Sequence, residues 1–170
     1  MSRVNLSPLE CGRTANDVSR RAMSNVPTCP LCHSQDETIL WSDEHCRVVR
    51  VTGAEAALYP GFCRVIWHGH VSEMTDLPPA ARAHLLRVVF ATEQALRTLL
   101  APDKINLASL GNQVPHLHWH VIPRYRDDAH FPAPIWAAAR QDAPVAYQRP
   151  LVSDSSLTQA IENALTLSGL

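Results

Sequence analysis

Net charge is what this sequence has least of: 15 Lys and Arg stand against 16 Asp and Glu, a formal −1 over 170 residues. A near-neutral chain has no global electrostatic footprint for wrapping a nucleic-acid polymer or docking on an anionic membrane, although a few local donors suffice for a small phosphorylated ligand. No apolar run approaches the ~18–20 residues of a membrane-crossing helix. The start, Met1-Ser2-Arg3-Val4-Asn5, has no apolar core of the kind a secretory leader needs. Cysteines number five, an odd count, so reduced thiols and a cytoplasmic location are expected. Internal repeats and low-complexity tracts are also missing.

What remains is an ordinary globular composition, 46% apolar and 18% charged with 13 prolines, enough for one core without obligatory disulfide or metal staples. Residues 1–26 are polar and weakly periodic, and read as an N-terminal extension. That extension is either a mobile arm or a short helix, since Ser7-Pro8-Leu9-Glu10 has the form of a capping box with Pro at the first helical position. Residues 27–170 are expected to form a single domain with a C-terminal extension.

Thr38 to Trp41 and Cys46 to Val51 are β-rich runs separated by the polar Ser42-Asp43-Glu44, which predicts a hairpin. Tyr59-Pro60-Gly61 signals a turn before a third strand, Phe62 to Trp67. Beyond Pro78-Pro79, the residues Leu85, Leu86, Val88, Val89, Ala95, Leu96, Leu99 and Leu100 recur at helical spacing as far as Pro102, with Thr92 the one polar member of the stripe. A fourth strand, Ile105 to Ser109, leads by a short connection into a fifth, so the two should be antiparallel neighbours. Residues 124–149 are rich in Pro, Asp and Ala and read as an ordered loop. Leu157, Ala160, Ile161, Ala164 and Leu165 suggest a closing amphipathic helix. Strands, then a helix, then strands predict an α+β fold: an antiparallel sheet of about five strands, one long helix and a C-terminal helix.

The fifth strand carries the chemistry. In Pro115-His116-Leu117-His118-Trp119-His120-Val121-Ile122-Pro123-Arg124, three histidines alternate with apolar residues. On an extended strand His116, His118 and His120 would share one face, and Leu117, Trp119 and Val121 the other. One metal ion gripping all three is disfavoured, because the outer pair would stand roughly 13 Å apart on a straight strand. A nucleophilic role fits the spacing better: a neutral imidazole attacking phosphorus forms a phosphoramidate, and a flanking His neutralises phosphoryl oxygens or serves the leaving group. Separately, Cys29-Pro30-Leu31-Cys32 has the spacing of a zinc half-site or a redox dithiol. The redox reading lacks a thioredoxin-like context, and the zinc reading needs two more ligands, with no second Cys-x-x-Cys to supply them.

The run His116-Leu117-His118-Trp119-His120-Val121-Ile122 resembles the His-x-His-x-His-x-x signature, with x apolar, of the histidine triad (HIT) family. Gly111-Asn112 before it and Pro123-Arg124 after it are similar too, and the likeness extends back to Cys29, covering about residues 29–125. The resemblance implies a nucleotide hydrolase or transferase acting at an α-phosphate, on a dinucleoside polyphosphate or an adenosine monophosphate derivative, as a homodimer in which two sheets meet. It implies His118 as the residue that becomes nucleotidylated, His120 at the phosphate or leaving group, and His116 orienting the nucleophile. Asn112 would touch phosphate, with Asn106 and Gln113 as further substrate-side candidates. Members of the wider superfamily resemble this chain in their Cys pair, completed as a zinc site by a His before the long helix and by the first triad His. Here those would be His70, with His68 as the alternative, and His116. Structural zinc is the one cofactor implied, and no organic cofactor is expected.

The connection from Asn106 to His116 is shorter than the phosphate loop of many relatives, which bears on Asn112 and especially Gln113. The segment from His130 to Trp136 has no counterpart in the signature, and is either the border of a nucleotide pocket, with Trp136 on a base, or packed structure. Beside the hydrolase, the readings left open are a nucleotidyl transferase or phosphorylase, a nucleotide-binding protein with little turnover, and a metal-dependent hydrolase with the histidines as ligands.

Overall fold

The computed structural model describes residues 28–142 and 149–167. The extension expected at residues 1–26, including its capping box, lies outside them. The elements run β1 (Thr38–Ser42), β2 (Cys46–Arg50), α1 (Ala54–Leu58), β3 (Cys63–Trp67), α2 (Pro79–Leu100), β4 (Lys104–Ala108), β5 (His118–Arg124) and α3 (Asp154–Leu167). The five strands form one antiparallel sheet in the order β1-β2-β3-β5-β4. This is the expected α+β architecture, with one long helix and a C-terminal helix. No helix among the described residues is long and apolar enough to cross a membrane.

Residue alternation along the strands sorts the sheet into two faces. Cys63, Val65 and Trp67 of β3 and Val121 of β5 pack with Leu85, Val88, Val89 and Leu96 of α2 and with Leu157 and Ile161 of α3, forming the main core. Each such side chain withdrawn from water contributes about 1.5–3 kcal/mol. Thr92 is fully buried inside the helical stripe and satisfies its hydroxyl by donating to the Val88 carbonyl at 2.8 Å. Helix α2 ends where Ala101 adopts a left-handed conformation at φ 44° and Pro102 bars a further turn.

On the opposite face a smaller apolar cluster of Val51, Tyr59, Phe62, Ile122 and Ile135 forms beneath the loop that follows β5. Gly61 makes the turn into β3 at φ 85°, a left-handed conformation that favours glycine, and a Cβ there would press on the Leu100 Cδ1 methyl at 2.5 Å.

The structure adds the short helix α1 and amends the triad strand: β5 begins at His118 rather than at His116. His116 and Leu117 lie ahead of it. The Leu117 N–H donates to the Val71 carbonyl at 2.7 Å, and the Leu117 carbonyl accepts from the Trp67 N–H at 3.1 Å. That local bridge leaves His118 and His120 as the histidines that share the strand face.

Candidate functional site

The short connection between β4 and β5 brings the triad against β3, where Ile66 pairs with His118 and Arg64 with His120. All three histidines are buried: His116 completely, His118 8% exposed and His120 6%. Their tautomers follow from the acceptors they meet. The His116 Nε2–H donates to the Trp67 carbonyl at 2.6 Å, so its Nδ1 carries the lone pair. The His118 Nδ1–H donates to the His116 carbonyl at 2.6 Å, so its Nε2 is bare. His120 Nε2 lies 3.1 Å from that bare nitrogen and supplies the proton between them. This leaves His120 Nδ1 as a lone pair, and it is buried with no hydrogen-bond partner among the described residues.

Burial is the first cause holding all three imidazoles toward the neutral form. For His118 and His120 the charge of Arg64 adds to it, and His120 is pushed down to about 3. Phe62 and Trp136 flank the His120 ring at centroid distances of 5.6 and 5.2 Å. Ser109 donates to the His118 carbonyl at 2.9 Å and fixes the strand there. The arrangement is a neutral imidazole with an unprotonated Nε2, oriented from behind by a backbone carbonyl and attended in front by a proton donor. It is equipped for nucleophilic attack.

The other ring nitrogen of His116 faces sulfur. Cys29 Sγ and Cys32 Sγ lie 3.5 and 3.4 Å from His116 Nδ1, and Cys32 Sγ lies 3.4 Å from His70 Nδ1. The four donor atoms fall within 4.8 Å of one another. A zinc ion with Zn–S of about 2.3 Å and Zn–N of about 2.05 Å would set tetrahedral S–N edges of roughly 3.6 Å, so these donors fit such an ion. The His116 Nε2–H bond to Trp67 is the outer contact that a zinc-bound imidazole makes. His68, the alternative ligand, is occupied elsewhere: its Nε2 lies 3.0 Å from the Asp43 carbonyl.

A second metal-like group, Asp43, Cys46 and His84, is built differently. Its carboxylate accepts the backbone N–H of His45 and of Cys46, each at 2.8 Å, and pairs with His84 at 2.7 Å. Burial, aided by Asp43, pushes the Cys46 thiol far up. These groups close the β1–β2 hairpin and pin it to α2.

Sequence reasoning missed a buried network below the triad. Arg124, 1% exposed, holds Asp128 through Nε at 2.7 Å and Nη2 at 3.0 Å, donates from Nη1 to Asn106 Oδ1 at 2.5 Å, and reaches the Ala133 carbonyl at 2.9 Å. Burial alone would raise the Asp128 carboxyl. The Arg124 guanidinium and the backbone N–H groups of His130 and Tyr125 outweigh it and hold the carboxyl below its usual range. The network shapes the loop from Tyr125 to Trp136 and so forms a cleft of about 700 Å³ lined by Asn106, Ala108, Ile122, Ile135 and Trp136. Asn106 thus reaches the cleft with its carbonyl oxygen already committed, and Trp136 both packs on His120 and keeps 46% of its surface exposed. Asn112 and Gln113 are exposed in the turn before β5. The pairing of Arg124 with Asp128, four residues apart outside any helix, was the available signal for this network.

The fold and the triad define a histidine triad protein. The HIT domain model matches residues 33–127, more than half of the chain, and the chain belongs to that family, which includes nucleotide hydrolases and transferases. Among solved structures, it is similar to a histidine triad protein of Marinobacter aquaeolei at 27% identity and a TM-score of 0.57, covering 78% of this chain and 90% of that one. A histidine triad protein of Bradyrhizobium japonicum matches at 26% identity and 0.55, with the same coverage. A third, from Sinorhizobium meliloti, shares the fold at 20% identity and 0.57, over 76% of this chain and 90% of that one. No curated protein matches the chain.

Proposed function

We propose that this protein is a nucleotide-phosphate hydrolase that works at an α-phosphate through a nucleotidyl intermediate on His118, with a dinucleoside polyphosphate or an adenosine monophosphate derivative as substrate. The observation that carries the reading is the 2.6 Å bond from His118 Nδ1–H to the His116 carbonyl, which leaves Nε2 unprotonated and aimed at the His120 proton donor. The Nε2 lone pair attacks Pα as the bond to the leaving group breaks. Splitting one displacement into two lowers the barrier of each. Water then attacks Pα and the electron pair of the P–N bond returns to Nε2. One proton is released and the nucleoside monophosphate leaves. The His120 Nε2–H, freed from His118 when that nitrogen is occupied, serves a phosphoryl oxygen or the leaving group. The cleft lined by Ile122, Ile135 and Trp136 offers apolar walls for a base, and Asn106, held by Arg124, a polar group beside them.

Zinc on Cys29, Cys32, His70 and His116 would supply structural cross-linking. Four protein donors would complete a tetrahedral set and leave no open position for water. His116 would then tie that centre to the nucleophile, since its ring faces the thiols and its carbonyl orients His118. This favours His118 over a metal-bound hydroxide as the attacking group. The test is turnover of a panel of dinucleoside polyphosphates and adenosine phosphoramidates by wild type and His118→Ala, each with and without a chelator. Activity in wild type, its loss in the variant and its persistence through brief chelation support the proposal. Full activity of His118→Ala overturns it.

A further inference from the structure

The triad by itself brings no cation to a substrate that is anionic throughout. His118 and His120 meet Nε2 to Nε2 at 3.1 Å, a contact that holds one proton between them, and His120 Nδ1 has no acceptor among the described residues. Phosphoryl transfer is accelerated chiefly by positive groups fixed around the charge that develops on the phosphates. Strand alternation sets three arginines on the histidine face of the sheet. They are Arg47 on β2, Arg64 on β3 and Arg124 on β5. Arg64 is the one that register sets directly across from His120, a pairing that brings Cβ atoms within about 4.5–5.5 Å. Its guanidinium lies 5.6 Å from the Phe62 ring centroid, and that ring lies 5.6 Å from the His120 ring, so the cation and the imidazole share one aromatic support.

We propose that Arg64 receives the departing phosphate, so that this site takes substrates whose α-phosphate is bonded to a second phosphate in preference to those with an amine leaving group. The inference rests on the nucleotidyl-histidine reading and deepens it. When His118 Nε2 displaces a phosphate, the electron pair of the breaking Pα–O bond leaves on an oxyanion that needs no proton, and a guanidinium beside it lowers the barrier directly. When the leaving group is an amine, the electron pair of the Pα–N bond leaves on nitrogen, which must take a proton from the His120 Nε2–H, and Arg64 has no developing anion to meet. An arginine opposite the proton donor therefore discriminates by leaving-group charge. Nothing in the triad signature carries this information, because the residue comes from β3.

The experiment measures kcat/KM for a diadenosine polyphosphate and for an adenosine phosphoramidate with wild type, Arg64→Gln and Arg64→Lys. The polyphosphate-to-phosphoramidate ratio should fall about 10- to 100-fold in Arg64→Gln, the range of a hydrogen bond to a charged group, and recover in part in Arg64→Lys. An unchanged ratio, including a loss shared equally by both substrates, overturns the leaving-group role. So does a lysine variant no better than glutamine. Failure of the underlying reading is distinguishable, since wild type would then turn over neither substrate.

Discussion

His116 and His120 stand two residues on either side of the same nucleophile, and their surroundings are opposite. Both ring nitrogens of His116 are engaged, one with the Trp67 carbonyl and one with two cysteine sulfurs. His120 shares one nitrogen with His118 and keeps the other buried without a partner among the described residues, between Phe62 and Trp136. A satisfied imidazole is a structural part, whereas one left incomplete where burial is costly is held ready for a ligand. On the proposed mechanism the difference separates three residues that look equivalent in sequence: one would serve as a brace, one as the nucleophile and one as a donor.

The sharpest way to break the comparison is at its centre. His118→Ala should lower turnover by about 10⁴-fold or more while the melting temperature stays within a few degrees, as for other isolated nucleophiles. Steady-state rates and calorimetry check both halves. At the His120 end, Arg124→Met leaves Asp128 as a buried, uncompensated charge and should cost about 3–5 kcal/mol. Urea unfolding measures it, and KM for nucleotide should rise with it because the loop carrying Trp136 loses its anchor.

At the His116 end, replacing Cys29 and Cys32 together by Ser should abolish stoichiometric zinc measured by elemental analysis. It should also lower the melting temperature by roughly 5–10 °C, equivalent to about 3 kcal/mol in a chain of this size. A protein that is purified without zinc and equally stable in both forms would remove the brace from the account.

The smallest of these effects is in pH. The folded pKa of His120, about 3, lies below its ordinary value near 6.5. The fold therefore favours the neutral ring, and its contribution is complete above about 6.5 and shrinks as pH falls from there toward 3. Between pH 6.5 and 5 the loss is at most about 2 kcal/mol. Comparing urea midpoints at the two pH values in wild type and in His120→Asn isolates it, because the variant removes this ring and keeps the other two. Equal slopes would contradict the assignment.

Much of this was legible in the sequence, for identifiable reasons. The five strands and α2 are marked by alternation, by Pro78-Pro79 and Pro102, and by an apolar stripe that tolerates Thr92 because its hydroxyl finds a carbonyl within the helix. The triad strand was legible because its period is two. What was not legible depends on which strands become neighbours. Arg64 is an ordinary polar position of β3 until the β3–β5 register sets it opposite His120. Asp128 is one of two adjacent aspartates until Arg124 claims it, and its neighbour Asp127 turns outward to Arg149. Periodicity alone puts His116 on the strand, since it cannot see that the chain bends between Val114 and His118, where the Leu117 N–H bonds to Val71. Alternation reports faces, and the departures from it here are where the site acquires its separate parts.

The proposed mechanism requires that His118, and neither of its neighbours, becomes covalently modified. The most direct measurement is rapid acid-free quenching of the protein with a diadenosine polyphosphate or an adenosine phosphoramidate, followed by intact-mass analysis and peptide mapping. One adenylyl group per chain on His118, absent in His118→Ala, is the expected outcome. Turnover without any adduct, or an adduct mapped to His116 or His120, would contradict it.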